Sequence, residues 1–211
     1  MDLLFLQNIW FEFLGTMSLI ATARKEGFKA DIIIGNDTLL LDKVREHRPR
    51  IVAFSVVTGI QNWALELCRI IKEEIDPGII TLMGGPHPSY FPEILESSEH
   101  LDMICVGEGE GALIDLLQAE NLPEDAAQIA NLNLRIDGEI ITNPVRTLIQ
   151  DLDSLPFMDR GSIYRYPIIK DNPVKRLISG RGCPHGCSFC FNHSMKKLYH
   201  GKGAYVRKRS V

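Results

Sequence analysis

No stretch of this sequence is apolar for long. The longest candidate, "IWFEFLGTMSLI" at positions 9–20, carries Glu12 inside it and falls short of the roughly 20 apolar residues that span a bilayer, so no membrane partner is expected. The opening "MDLLFLQN" lacks the basic n-region and cleavage site of a secretory signal, which makes the cytoplasm the expected compartment. An excess of positive charge is also missing. The formal net charge is −4, so the phosphate-neutralising surface of a nucleic-acid binder is not expected. Cysteine is scarce, at five residues, and the odd count with three clustered excludes a secreted disulfide framework. Internal repeats and low-complexity tracts are absent. What remains, at 211 residues with 45% hydrophobic and 24% charged, is a globular chain long enough for one domain and part of a second.

Up to about residue 120, short apolar runs alternate with longer amphipathic segments, the βαβ rhythm of a parallel sheet covered on both faces. The runs "DLLFL", "KADIIIG", "RIVAFSV", "GIITLMGG" and "LDMICVG" predict five strands. The intervening segments predict helices near 15–27, 38–47, 62–75, 91–97 and 110–119. After them, "NLNLRIDGEIITN" holds two alternating runs joined by Asp137-Gly138, the sequence of a type I′ hairpin that extends the sheet edge. Positions 144–173 are rich in proline, aspartate and aromatics without periodicity and suit an extended linker. "VKRLIS" then predicts one further strand, leading into a cysteine loop. The expected fold class is a Rossmann-like, doubly wound parallel α/β sheet over 1–125, with the hairpin extension and linker over 126–173 and a separate segment over 174–211.

The chemistry concentrates in "ISGRGCPHGCSFCFNH". Cys183, Cys187 and Cys190 form a C-x3-C-x2-C set, and three soft thiolates on one short loop suit an iron–sulfur cubane or, with His185 or His193 as fourth ligand, zinc. Cys68 and Cys105 sit alone in apolar patterns and read as core residues. In an open α/β sheet the ligand lies beyond the carboxyl ends of the strands. The loops there read "QNIWFEFLG", "SVVTG", "GGPHPS" and "VGEGEG". Gly84 and Gly85 leave room for a ligand or make a tight turn. Ser55 and Thr58 are placed to bind a ligand or to cap the helix near Gln61. His87, between two prolines, reads as structural or as a ligand contact. Glu108 and Glu110 open a helix, where the macrodipole favours carboxylates.

The segment "CPHGCSFC", with Phe189 before its last cysteine, resembles the cluster loop of the radical S-adenosylmethionine superfamily. The resemblance implies that Cys183, Cys187 and Cys190 hold a 4Fe-4S cluster whose open iron binds S-adenosylmethionine, that Phe189 and Ser188 border the adenosine moiety, and that one electron cleaves the sulfonium to a 5′-deoxyadenosyl radical. The strand-end loops resemble the amino-terminal domain of cobalamin-binding members of that superfamily. That likeness implies a cobalamin site made by Trp10, Glu12 and Gly15 after strand one, Ser55, Val56, Thr58 and Gly59 after strand three, Gly84, Gly85 and His87 after strand four, and Gly107, Glu108 and Gly109 after strand five. Many cobalamin domains carry Asp-x-His-x-x-Gly after strand one, with the histidine on cobalt. Here, aligned on Gly15, the pattern puts Trp10 and Glu12 at those positions, so histidine ligation is not expected. Trp10, Phe11 and Phe13 then either cover the corrin or cap the sheet. The basic stretch "KKLYHGKGAYVRKRSV" resembles the approach to the first barrel helix, and Ser210 reads as a helix N-cap.

Residues 174–211 are accordingly read as the start of a radical barrel, and the chain as the amino-terminal part of a longer enzyme. A cobalamin-dependent methyltransferase acting on an unactivated carbon or phosphorus centre is the expected activity, with a small-molecule substrate and an electron donor such as flavodoxin or ferredoxin. The alternatives are a methylthiotransferase-like or oxidative cyclase-like radical enzyme, and a non-enzymatic cobalamin- or metabolite-binding module with a zinc site.

Overall fold

A computed structural model describes residues 1–210; Val211, the last residue of the predicted third segment, lies outside the described residues. Five parallel strands form the centre: β1 (Leu3–Gln7), β2 (Ala30–Ile34), β3 (Ile51–Ser55), β4 (Ile80–Gly84) and β5 (Met103–Cys105). Their near-continuous burial explains why they read as unbroken apolar runs. The antiparallel hairpin β6 (Leu132–Ile136) and β7 (Glu139–Thr142) completes one seven-stranded sheet of order β2-β1-β3-β4-β5-β6-β7. Asp137 and Gly138 both take positive φ, 50° and 84°, as the expected I′ turn requires. This is a mostly parallel, Rossmann-like α/β sheet.

Helices α1 (Leu14–Lys25) and α5 (Glu110–Gln118) cover one face, burying Met17, Ile20, Ala112, Leu113 and Leu116 over Phe5, Ala53 and Leu82. On the other face lie α2 (Asp37–His47), whose Asn36 cap accepts the Leu39 N–H at 3.0 Å, and α3 (Gln61–Ile70), which runs into a π-helical turn to Ile75. The predicted helix at 91–97 is instead a five-residue α4 (Pro86–Tyr90) followed by a 3-10 stretch, Pro92–Ser97. The physical reason is Pro92, which holds Phe91 at φ −132° and breaks the helix.

The linker departs from the expected extended form. It folds into two single-turn helices, α6 (Gly161–Tyr164) and α7 (Pro167–Lys170), that bury Ile163 and Ile169 in the core of the first face. It also blunts the β2 edge: the Tyr166 hydroxyl accepts the Ile34 N–H at 3.0 Å, and the Arg165 guanidinium donates to the Ile32 carbonyl.

The strand predicted at "VKRLIS" is not formed. Val174, Leu177 and Ile178 are exposed, and extended pairing begins only at β8 (Gly180–Arg181), two residues paired antiparallel with β9 (Arg207–Lys208). A parallel barrel strand needs a neighbouring strand to take its backbone groups, and among the described residues β9 is the sole partner. Helix α8 (Asn192–Leu198) lies between β8 and β9 in the chain. No helix among the described residues is long and apolar enough to cross a membrane.

Candidate cofactor site

The chain leaves β1 toward β2 on one side and returns to β3 on the other, so the switch point of the sheet lies between β1 and β3. At the carboxyl ends of the strands, on the α1/α5 face, a cavity of about 480 Å³ opens. Its floor is Gly15, Ser18 and Leu19 of α1 with Ser55, Gly84, Gly85, Cys105 and Gly107–Glu110. The far wall comes from the carboxyl-terminal part of the chain: Leu152, Leu155, Met158, residues 178–182 and Arg209. From this cavity a narrower apolar slot of about 40 Å³ runs between the sheet and the two helices, past Phe5, Leu19, Ala53, Leu82, Leu113 and Leu132. Beside Ser55, the buried Thr16 Oγ1 and the Asn8 Oδ1 have no hydrogen-bond partner among the described residues.

Gly84 and Gly85 have different reasons for being glycine. A Cβ at Gly84 would meet only the Cys105 Cβ, at 3.8 Å, so a larger side chain there projects into the slot. Gly85 takes φ +96°, and a Cβ would stand 2.9 Å from both the Val56 nitrogen and oxygen. Its requirement is therefore the fold itself, not ligand approach.

Several predicted contacts lie away from the cavity. Val56 is buried and serves through its backbone, donating to Gly84 O at 2.8 Å and accepting from His87 N at 2.9 Å. His87 is also buried, packed at a tilt against Phe91 and hydrogen-bonded to Thr58 Oγ1 at 3.0 Å, so its place is structural. Thr58 and Gly59 are exposed; the Gly59 N–H donates to Gln61 Oε1 at 2.6 Å, and α3 carries no side-chain cap from Ser55 or Thr58. Trp10 is half-exposed with its ring edge-on to Tyr166.

Glu12 corrects the expectation most sharply. It is 3% exposed and faces the linker, accepting from the Tyr164 hydroxyl at 2.9 Å and the Arg176 N–H at 3.2 Å, with the Arg160 guanidinium at 3.4 Å. Its carboxylate is thus occupied as a clasp. None of the cavity-lining residues is a histidine.

The Gly-Glu-Gly-Glu turn does more than favour a helix start. Glu108 pairs with Arg207 at 2.8 Å and Arg181 at 3.2 Å and accepts the Ile149 N–H at 3.1 Å. Glu110 pairs with Arg181 at 2.5 Å and accepts from the Ser18 hydroxyl at 3.0 Å. Burial pushes the Glu110 carboxyl up, but the hydrogen bond and charge of Arg181 outweigh it and hold the group below the usual carboxylate range. Above the turn, the buried Tyr199 closes over Gly107, its hydroxyl accepting the Glu108 N–H at 2.7 Å. Sequence reading assigned none of these partners.

The three clustered cysteines are accessible: Cys187 is exposed and Cys183 and Cys190 half-buried, with the Cys190 N–H donating to Cys187 O at 3.1 Å. Among the described residues no three metal-binding side chains converge. The donor set itself suits a cluster, three soft thiols within eight residues, each reachable from solvent. Ser188 and Phe189 lie on the same exposed loop, Phe189 at 89% exposure. Cys68 and Cys105, by contrast, are buried, and burial pushes both thiols up to about 12.

Comparison with known proteins adds four findings. Residues 11–117 match a family described as the B12 binding domain. The chain is 33% identical over 158 residues to an anaerobic magnesium-protoporphyrin IX monomethyl ester cyclase from Cereibacter sphaeroides, covering 72% of this chain and 26% of that protein. It is 28% identical over 149 residues to an uncharacterized methyltransferase from Pyrococcus horikoshii, covering 70% and 32%. The chain thus spans about a quarter to a third of the length of these curated relatives. Among solved structures, the cobalamin-dependent S-adenosylmethionine radical enzyme OxsB, with aqua-cobalamin and S-adenosylmethionine bound, superposes with a TM-score of 0.73 at 24% identity, over 90% of this chain and 28% of that one.

Proposed function

Because this chain belongs to the B12-binding domain family, we propose that it binds cobalamin at the carboxyl edge of its parallel sheet, as part of a radical S-adenosylmethionine methyltransferase. The observation that carries the reading is the cavity with its apolar slot. It is assembled from the predicted strand-end loops, within the range of about 300–1,000 Å³ typical of ligand pockets. Gly84 leaves the slot open, and Phe5, Leu19 and Leu113 give it apolar walls that would receive an apolar edge of the cofactor. Beside it Ser18 and Ser55 offer polar contacts. None of the described residues lining the cavity is a histidine, so the lining itself would offer the cofactor no imidazole.

In this reading Cys183, Cys187 and Cys190 hold a 4Fe-4S cluster, and Ser188 and Phe189 border S-adenosylmethionine. When bound, cobalamin supplies a transferable methyl group, and the cluster with S-adenosylmethionine supplies a carbon-centred radical. The chain's own residues set the geometry. Leu152, Leu155 and Met158 keep water from one side of the cavity, and Glu108 and Glu110 hold the segment that leads into the cysteine loop. A small-molecule substrate and a flavodoxin- or ferredoxin-type electron donor complete the proposal, and residues 174–211 are the opening of a radical barrel within it.

A ring-forming activity is the second reading, favoured by the 33% identity to the anaerobic cyclase. Anaerobic reconstitution tests the shared part. The reading expects close to four iron and four sulfide per chain, lost in Cys183→Ala, Cys187→Ala and Cys190→Ala and retained in Cys68→Ala. Stoichiometric zinc in place of iron supports a non-enzymatic binding module instead.

A further inference from the structure

A buried cluster of charge, Glu108 and Glu110 with Arg181 and Arg207, joins the turn after β5 to the segment that carries the cysteines. We propose that Arg181 is a positioning residue that couples the cysteine loop to occupancy of the cofactor cavity, acting through Glu108 and Glu110; the proposal rests on the cobalamin reading above.

The other contacts on the loop are shallow: Phe191, 55% exposed, packs its ring 4.9 Å from Tyr90 and 6.1 Å from Phe91. Upstream of the loop, Val174, Leu177 and Ile178 are exposed, and β8 is only two residues long. Arg181, two residues before Cys183, turns inward and meets Glu110 at 2.5 Å and Glu108 at 3.2 Å. Downstream of Cys190, the next deep anchor is Tyr199, 4% exposed, whose hydroxyl accepts the Glu108 N–H. Both flanks of the loop are thus fastened to one four-residue turn. That turn, Gly107–Glu110, is itself floor of the cavity, and Arg181 is part of its wall.

A ligand in the cavity touches the turn and the arginine together, so it favours the arrangement in which they are paired. By linkage, a ligand that favours the paired state orders the loop, and a loop held in place strengthens the ligand in turn. The bidentate fork of arginine matters here, because a lysine at 181 reaches one carboxylate and not both. A role confined to folding predicts something different: loss of the pair would loosen the core to the same degree with and without ligand.

The test is amide exchange read by mass spectrometry on the 211-residue chain, free and saturated with hydroxocobalamin, with saturation checked by visible absorption. In the wild type, saturation is expected to slow exchange across residues 182–191 by about tenfold. In Arg181→Ala the slowing falls below about twofold at saturation, while amides of β1 and β4 keep their protection. Arg181→Lys gives an intermediate value, and it carries the comparison if the alanine variant does not fold. Cobalamin bound with loop exchange unchanged in the wild type, or full slowing retained in both variants, overturns the proposal alone. A folded chain that takes up no hydroxocobalamin overturns the cobalamin reading and this proposal with it.

Discussion

Replacing Gly84 with valine is expected to close the slot and leave the fold standing. The first added carbon meets only the Cys105 Cβ, at 3.8 Å, an ordinary contact, and Gly84 ends a strand in which a β-branched residue is welcome. The remaining two carbons enter a space of about 40 Å³, where a ligand group has to share it. Forcing extra methyl groups into a filled site costs about 1–3 kcal/mol, so affinity for cobalamin is expected to fall roughly 5- to 150-fold. Gly85→Ala is the control. Its Cβ would stand 2.9 Å from the Val56 backbone at φ +96°, so its effect belongs to stability, and a loss of about 1–3 kcal/mol lowers Tm by roughly 2–12 °C. Titration of each variant with hydroxocobalamin, followed by visible absorption alongside thermal melts, separates the two. A Gly84→Val protein that melts like the wild type and binds cobalamin within twofold of it would refute the placement of the ligand in this slot.

Three further outcomes follow from the same geometry. A chromogenic disulfide reagent at pH 8 should titrate three thiols rapidly in the native, metal-free chain and all five after denaturation, since Cys68 and Cys105 are buried with thiols pushed up to about 12. Glu110 contributes stability fully above the ordinary carboxylate value of 4.5 and loses it as pH falls through its depressed folded value; the Tm gap between wild type and Glu110→Gln should therefore shrink below pH 4.5, and a gap that widens there would contradict the Arg181 pairing. Glu12→Gln should cost about 3 kcal/mol, the low end for a buried pair because both arginines keep water, without altering the visible spectrum of bound cobalamin.

The central sheet was legible because buried parallel strands leave unbroken apolar runs, and the hairpin because Asp137-Gly138 specifies its own turn. The cavity floor was legible for a related reason: ligand loops follow strands, so Ser55, Gly84 and Gly107 could be picked from their positions alone. Partners distant in sequence were not. Glu108 and Glu110 looked like helix-start carboxylates, and nothing local announces arginines 99 and 71 residues later. Glu12 was placed by alignment to a ligand position, whereas its direction is set by Tyr164 and Arg160 of a linker without periodicity. "VKRLIS" has the composition of a strand, but composition does not provide the neighbour that a strand requires.

The most direct measurement is an electron paramagnetic resonance spectrum of the chain equilibrated with cobalamin, reduced to cobalt(II) and freed of excess cofactor. The cavity and its histidine-free lining predict one cobalamin retained per chain, with a base-off spectrum lacking nitrogen superhyperfine splitting. A well-folded chain that retains no cobalamin, or a spectrum with clear splitting from an axial nitrogen, would contradict the site described for this fold.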